Sequence, residues 1–377
     1  MPGSIIPLVD VFVEIPDWRE RRGRRYSLAA ILALACAAML CGYRSYSAIA
    51  EWGRNYGQAL ARQLGFTTGA TPCAATLHSV FRQLDVTQFE RRLGRWAEAA
   101  LAASPAAPGE AIAIDGKTVR GSAKQGAAGA HLLSAVSQRL GLTLAQVALA
   151  DKAGEQSHIQ QVLAGLLLEG RLVTVDALHT QRAVAQAILD AGGDYIMVVK
   201  DNQPQLRDDI ATLFTDVPTV QDTLTQAHTT EAGHGRIETR RLIASTALVG
   251  YTDWPGLQQV FCLERTVLVK KTGLQHHETT YGVASLPPAQ ADARRLLQAT
   301  RGHWRIEASH WIRDVTFDED RSQVRCGHIP QVMAALRNTT LALLRGAGET
   351  NIAAACRRLA AQPAAALALI GIQLRTE

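Results

Sequence analysis

Between residues 110 and 215 the chain alternates short apolar runs with helix-period segments. That alternation restricts the possible folds more than any other feature of the sequence. Ala111–Ile114 predicts a short buried strand. His131–Ser137 and Leu142–Ala150, on either side of Arg139-Leu140-Gly141, predict a hairpin. Ser157–Leu168 has helical periodicity, Leu172–Val175 is a second buried run, and a helix is expected near Thr180–Ala191. Tyr195–Val199 predicts a further strand and Pro204–Phe214 a further helix. Strand, hairpin, helix, strand, helix, strand is a mixed α/β pattern.

The flanks read differently. Residues 1–101 are rich in Ala, Leu and Arg without strand alternation, and a helical domain is expected there. Asp17-Trp18-Arg19 opens a basic segment, Tyr46–Gly57 predicts a second helix, and a third begins at Thr71–Thr76. The arginines of this domain suit contact with DNA, or they solvate helix faces. Ser27–Gly42 carries no charge, yet it is shorter than the roughly 20 residues a membrane span needs, so it is expected to be a buried core helix rather than a span or a signal peptide. Ala102–Gly109 reads as a linker. Residues 216–286 predict a β-rich insertion, with strands at Arg236–Ile243, Gln259–Val269 and Glu278–Ala284. Residues 287–345 return to helix, over Gln290–Trp311 and Pro330–Leu344, and residues 346–377 form an Ala-rich helical tail.

Composition adds boundaries rather than identity. At 377 residues and 47% hydrophobic, the chain can bury a large core in more than one domain. A net charge of +5 has the sign that suits a polyanionic partner. The six cysteines show neither CxxC nor zinc-finger spacing. Cys36 and Cys41 are expected as buried free thiols in a reduced, cytoplasmic protein.

Three acids stand in settings that suit chemistry. Asp115 closes the run Ala-Ile-Ala-Ile and reads as a strand-ending residue before Gly116; an Asp-Gly turn is the plain alternative. Asp176 closes Leu-Val-Thr-Val, with a helix N-cap as its plain alternative. Open α/β sheets bind ligands at the carboxyl ends of strands, which favours a functional reading of both. His179 and Gln181 lie nearby in sequence and read as satisfied surface groups. Glu307 sits in a helical stretch where Trp304, Glu307, His310 and Trp311 share a face, the two tryptophans being expected to anchor a core. Asp314, Asp318, Glu319 and Asp320 read as a solvated acidic turn. Such a set of carboxylates can hold two divalent ions roughly 3.5–4 Å apart, which clamp the attacking and leaving oxygens of a phosphodiester. Lys117, Arg120, Lys200, Arg301 and Arg305 lie near these acids in sequence and are candidate phosphate contacts.

At these residues the chain resembles bacterial insertion-sequence transposases of the ISAs family, the H-repeat-associated type. The resemblance is carried by AIAIDGKTVRGS (111–122), HLLSAVS (131–137), LVTVDALHTQ (172–181), GGDYIMVVKDNQP (192–204), GHGRIETR (233–240) and HWRIEASHWIRDVTFDEDRSQVRCGHIPQVMAALRN (303–338). RYSLAAILALACAAMLCGYRSYSAIAEWG (25–53) resembles the helical domain that accompanies them. The resemblance implies an α/β protein whose ribonuclease H-like catalytic core spans 110–215 and 287–345, interrupted by the β-rich insertion and preceded by the helical N-terminal domain. It implies a DDE transposase in which Asp115, Asp176 and Glu307 are catalytic and bind two Mg²⁺ ions, with Mn²⁺ able to substitute. The element's terminal repeats would be cleaved and the freed 3′-hydroxyl joined to target DNA. A homodimer in the synaptic complex, no membrane, and a cytoplasmic, nucleoid-associated location are also implied. One departure is visible. The wider superfamily carries a tyrosine-arginine-glutamate-lysine signature, and the three non-glutamate positions here hold Thr300, His303 and Asp314, with Arg301 and Arg305 as substitutes for the arginine. The rival readings are a metal-dependent nuclease that does not join DNA and an inactive or repurposed DNA-binding protein.

Overall fold

The computed structural model describes residues 6–104, 110–123, 128–149, 155–215, 224–233 and 235–373. The expected linker over Ala102–Gly109 falls outside the described residues from 105 onward. The helical N-terminal region holds α1 (Leu8–Val13), α2 (Leu28–Leu40), α3 (Tyr46–Asn55), α4 (Gly57–Gln63), α5 (Ala74–Gln83) and α6 (Val86–Ala103). There follow β1 (Ala111–Thr118), β2 (His131–Ser137), β3 (Thr143–Leu149), α7 (Glu155–Ala164), β4 (Leu172–Val175), α8 (Arg182–Asp190), β5 (Asp194–Val199) and α9 (Pro204–Thr215). Strands β6 (Leu224–Gly233), β7 (Arg236–Ser245), β8 (Gln259–Val269) and β9 (Gln275–Ala284) come next. The chain ends in α10 (Ala293–Val315), α11 (Ile329–Gly346), α12 (Ile352–Ala361) and α13 (Pro363–Leu369). This is the expected mixed α/β protein with a helical N-terminal region.

Contacts divide the chain into two compact units. One comprises Ala107–Asp115 and Ala153–Ile306, and its strands run in the order β1-β4-β5-β9-β8-β7-β6. β1 and β4 are parallel, as are β4 and β5; from β5 to β6 every pairing is antiparallel. The β-rich segment is therefore a continuation of the sheet beside β5, where Ile196 pairs with Ala284 and Val199 with Tyr281. Leu172, Ile196, Leu242, Phe261, Leu296 and Leu297 form the core of this unit. Gly282 in β9 is required by packing: a Cβ there would overlap the Phe261 ring and stand 2.7 Å from the Met197 carbonyl oxygen. Overpacking of this kind costs about 1–3 kcal/mol. Gly282→Ala is expected to lose that much, read as a lowered denaturant midpoint with unchanged slope.

Strand β6 is not among the strands that the sequence predicts. It is the edge strand, its residues are half-buried or exposed, and Leu-Thr-Gln-Ala-His-Thr-Thr-Glu-Ala-Gly carries no apolar alternation to betray it. Its ten residues are held by an unbroken register with β7.

The other unit comprises Met1–Ala106, Gly116–Lys152 and Glu307–Glu377. Its hub is α2, the uncharged segment. All of its residues except Ala29 are buried, and α1, α3, α11, α12 and α13 pack around it. Ser27 Oγ caps it by accepting from Ala30 N at 3.1 Å. Among the described residues no helix is long and apolar enough to cross a membrane. Cys36 and Cys41 are buried free thiols, as expected, and burial pushes each up to about 12.

Strand β1 corrects one expectation. It does not end at Asp115 but continues through Gly116 to Thr118. Gly116 serves packing rather than a turn: a Cβ there would lie 2.7 Å from His131 Nε2, and the same ring meets Thr118 Oγ1 at 2.8 Å through Nδ1.

Glu90 on α6 lies among amides of the same unit. Its carboxyl accepts from Gln146 Nε2 on β3 at 2.6 Å and from Gln331 Nε2 on α11 at 2.8 Å, while Asn338 Nδ2 donates to Gln146 Oε1 at 2.9 Å. Burial pushes the Glu90 carboxyl up to about 8, against the pull of the two amide donors. A proton is then held by the folded chain and not by the unfolded one between the ordinary glutamate value and about 8. Stability falls as pH rises through that window. Glu90→Gln is expected to flatten this slope and to raise the melting temperature at the alkaline end, checked by thermal unfolding across that pH range.

Candidate active site

The pairing of β1 with β4 decides where the first two acids stand. Ile114 lies opposite Val175, the last pair of the parallel register, and the next residue on each strand is an aspartate. Asp115 and Asp176 thus occupy adjacent positions at the carboxyl end of β4, both half-buried. Asp176 also caps a short 3-10 turn over Ala177–His179, accepting from His179 N at 3.3 Å. The N-cap reading of this residue is therefore correct for the turn, while α8 begins later, after Gln181, which gives it no side-chain cap. Thr180 is fully buried and its hydroxyl donates to the Asp176 and Val198 carbonyls, fixing the turn to the end of β5. His179, expected at the surface, is buried.

The same unit ties α10 to β4. His303 is buried, and its Nδ1 meets Thr174 Oγ1 at 3.0 Å, two residues before Asp176. Burial holds the His303 imidazole below its ordinary value, against the pull of the Asp176 carboxylate. A neutral ring is suited to a hydrogen bond with a hydroxyl at this depth. Glu307 is exposed and lies one helical turn beyond His303, so the two share a face of α10. Ile306 is the last α10 residue of one unit and Glu307 the first of the other. Sequence-predicted Asp115 and Asp176 are brought together. Among the described residues no three His, Cys, Asp or Glu side chains gather closely enough to hold a metal ion.

The cations near these acids in sequence separate into different roles. Lys117 is buried, and its Nζ lies 2.7 Å from both carboxylate oxygens of Asp314 and 3.6 Å from Asp320. It is an internal ion-pair partner and does not face solvent. Arg120 is exposed, with Nε 3.7 Å from Asp320. Lys200, after β5, and Arg305 on α10 are exposed. Arg301 is exposed but paired with Glu231 of β6. The acidic stretch after α10 is not a solvated turn. Glu319 is fully buried between Arg313 Nη2 at 2.7 Å and Arg337 Nη1 at 3.0 Å. The sequence signal missed here was Arg337 in an apolar helix, where a buried arginine needs an acid.

The tryptophans also depart from expectation. Trp304 is 36% exposed and Trp311 63%, so neither is a core anchor. Trp304 is flanked by the guanidinium groups of Arg240 and Arg265, 5.0 and 4.8 Å from the ring centroid. Glu238 bonds to both arginines and holds them in place. This is a cation–π arrangement with the ring still open to solvent.

Two families match the chain. Residues 9–97 match the family described as "DDE_Tnp_1-associated" and residues 106–343 match "Transposase DDE domain". The chain is 31% identical over 352 residues to YncI of Escherichia coli O157:H7, a provisionally assigned transposase, covering 91% of this chain and 88% of the relative. It is 27% identical over 342 residues to YhhI of Escherichia coli K12, provisionally assigned as an H repeat-associated transposase, covering 88% of each. A solved structure of the piggyBac transposase synaptic complex with hairpin DNA aligns over 97% of this chain and 82% of that one, with TM-score 0.46 and 10% identity.

Proposed function

Since this chain belongs to the family of transposases with a DDE domain, we propose that it cleaves the DNA ends of an insertion sequence and transfers them to target DNA, using Asp115, Asp176 and Glu307. The observation that carries the reading is the register of β1 on β4, which puts Asp115 and Asp176 in adjacent positions where a parallel sheet offers its carboxyl end. The order β3-β2-β1-β4-β5, with β1, β4 and β5 mutually parallel and β2 and β3 antiparallel to each other, supports a ribonuclease H-like core over 110–215 and 287–345. Strands β6–β9 of the β-rich segment then extend the sheet, residues 1–101 serve DNA binding, and α12 and α13 form a separate helical segment after the core.

Asp115 and Asp176 are half-buried oxygen donors on adjacent strands, the ligand type that hard divalent cations take. Asp115, Asp176 and Glu307 would hold two Mg²⁺, or Mn²⁺ in their place, which when bound activate water and stabilise the charge developing on the phosphodiester. The chain's own part is to fix the ligands. Thr174 and His303 hold α10 against β4, and the turn after Asp176 is locked by Thr180. Arg120, Lys200 and Arg305 are exposed cations that would contact phosphate oxygens, Arg120 in exchange for its ion pair with Asp320. Arg301 serves only if Glu231 releases it. The His303 and Asp314 positions are committed to Thr174 and Lys117, so the superfamily signature is replaced here by internal structural contacts.

A strand-transfer assay with a pre-cleaved element end separates the transposase from a nuclease. Joined product with Mg²⁺ is the expected result. Cutting of uncleaved ends with no joining would assign a nuclease, and a homodimer is expected by light scattering once end DNA is added.

A further inference from the structure

The loop from Asp17 to Tyr26, which joins α1 to α2, is folded tightly around one carboxylate. Asp17 Oδ1 accepts from the Arg19 backbone N at 3.1 Å and Arg19 Nε at 2.9 Å, and Oδ2 accepts from Arg19 Nη2 at 2.8 Å. The same Nη2 donates to the Tyr26 carbonyl at 2.8 Å and so closes the loop. Arg24 Nη2 donates to the Asp17 carbonyl at 2.7 Å, and Arg24 Nε to the Arg19 carbonyl. The Arg19 hydrogen bonds hold the Asp17 carboxyl below the usual carboxylate range, against its burial.

This clamp sorts the five arginines of the loop. Arg19 and Arg24 turn onto the loop's own acceptors. Arg21, Arg22 and Arg25 are exposed, and Arg21 and Arg22 make no salt bridge among the described residues. Arg25 sits over the Tyr26 ring at 5.4 Å. Trp18 is 37% exposed in the same loop. Glu20 is the one exposed acid between Asp17 and Tyr26. A rigid loop that shows three guanidinium groups and an aromatic ring has the composition of a nucleic-acid contact. Guanidinium forks match phosphate oxygens, and a loop already held in shape loses little entropy on binding.

We propose that the Asp17–Tyr26 loop is a preorganised contact for the phosphate backbone of duplex DNA, in which Arg21, Arg22 and Arg25 take phosphates and the Asp17 clamp keeps them aimed. The assignment deepens the DNA-processing function proposed above and rests on it. Exposed arginine beside tryptophan also suits an anionic lipid surface, but the loop has no amphipathic helix to lie in one.

The test uses the full chain in EDTA, with a labelled mixed-sequence duplex titrated across salt concentrations. Replacing Arg21, Arg22 and Arg25 together by Ala is expected to weaken binding about tenfold or more and to reduce the slope of log affinity against log salt by about 2–3. The melting temperature should hold, because these side chains are exposed and, among the described residues, make no ion pair, Arg25 alone meeting a ring, that of Tyr26; Arg22→Ala alone should lower the slope by about 0.9. Asp17→Ala makes the chain more positive, so charge alone would tighten binding, whereas loss of the clamp weakens it. Unchanged affinity and slope in the triple variant would overturn the proposal, as would arginine-dependent binding to phosphatidylserine vesicles with none to the duplex. Tighter binding by Asp17→Ala would overturn the clamp's role. Loop-dependent binding without any end cleavage, in a separate assay with Mg²⁺, would remove the catalytic reading and leave the loop. Cleavage with loop-independent binding would remove the loop alone.

Discussion

Asp176→Asn is expected to lower end cleavage by about 10³-fold or more, because charge stabilisation by bound divalent ions contributes several kcal/mol. Asparagine keeps an oxygen that can still accept from His179 N, so the turn over Ala177–His179 should survive. The buried Thr180 hydroxyl fixes the turn independently of that side chain, since it donates to main-chain carbonyls. Removing one of two adjacent carboxylates also relieves repulsion when no cation is bound. The melting temperature without metal should therefore be unchanged or higher. Rate and stability move apart only if the residue works in chemistry. Quantitative cleavage kinetics beside thermal unfolding check it, and a variant that cleaves normally removes Asp176 from the site.

Glu319→Ala is expected to cost about 3–5 kcal/mol of stability, the range for breaking a buried ion pair by removing one partner. Arg313, Glu319 and Arg337 are each buried to within 1% of full enclosure, and the glutamate alone separates two guanidinium charges. Its removal takes away the carboxylate that both guanidinium groups contact directly. Burial by itself would raise the Glu319 carboxyl, but Arg313 and Arg337 hold it down at about 2. With a folded value below the unfolded one, the stabilisation is complete above the ordinary glutamate range. It is lost as pH falls through that range toward about 2. Acid unfolding of the wild type should steepen there. Glu319→Ala should show a shallower acid limb from an already lowered plateau, measured by denaturant titration at several pH values.

What the sequence made legible was what periodicity encodes. Leu172–Val175 is fully buried between neighbours, so its strand could be read directly, and the hairpin at Gly141 announced its turn. Asp115 and Asp176 were visible because each ends such a run. Burial through charge was not visible. Glu319, Arg313 and Arg337 come from three separate segments, and only the fold shows that they neutralise one another. Exposed edges were hidden for the opposite reason: β6 packs against a single neighbour and needs no apolar alternation. Trp304 misled because an aromatic ring held by Arg240 and Arg265 looks, in sequence, like a core residue. Lys117 misled likewise, since a lysine two residues from a candidate catalytic acid suggests phosphate, yet Asp314 encloses it.

The most direct measurement is cleavage of a labelled fragment carrying the element's own end, in Mg²⁺ and in EDTA, beside Glu307→Ala. Nicking at the end is expected to require Mg²⁺ and to be lost in the variant, with end binding retained. Metal-dependent nicking that survives in Glu307→Ala would contradict the role of Glu307 and would move the third ligand to another acid.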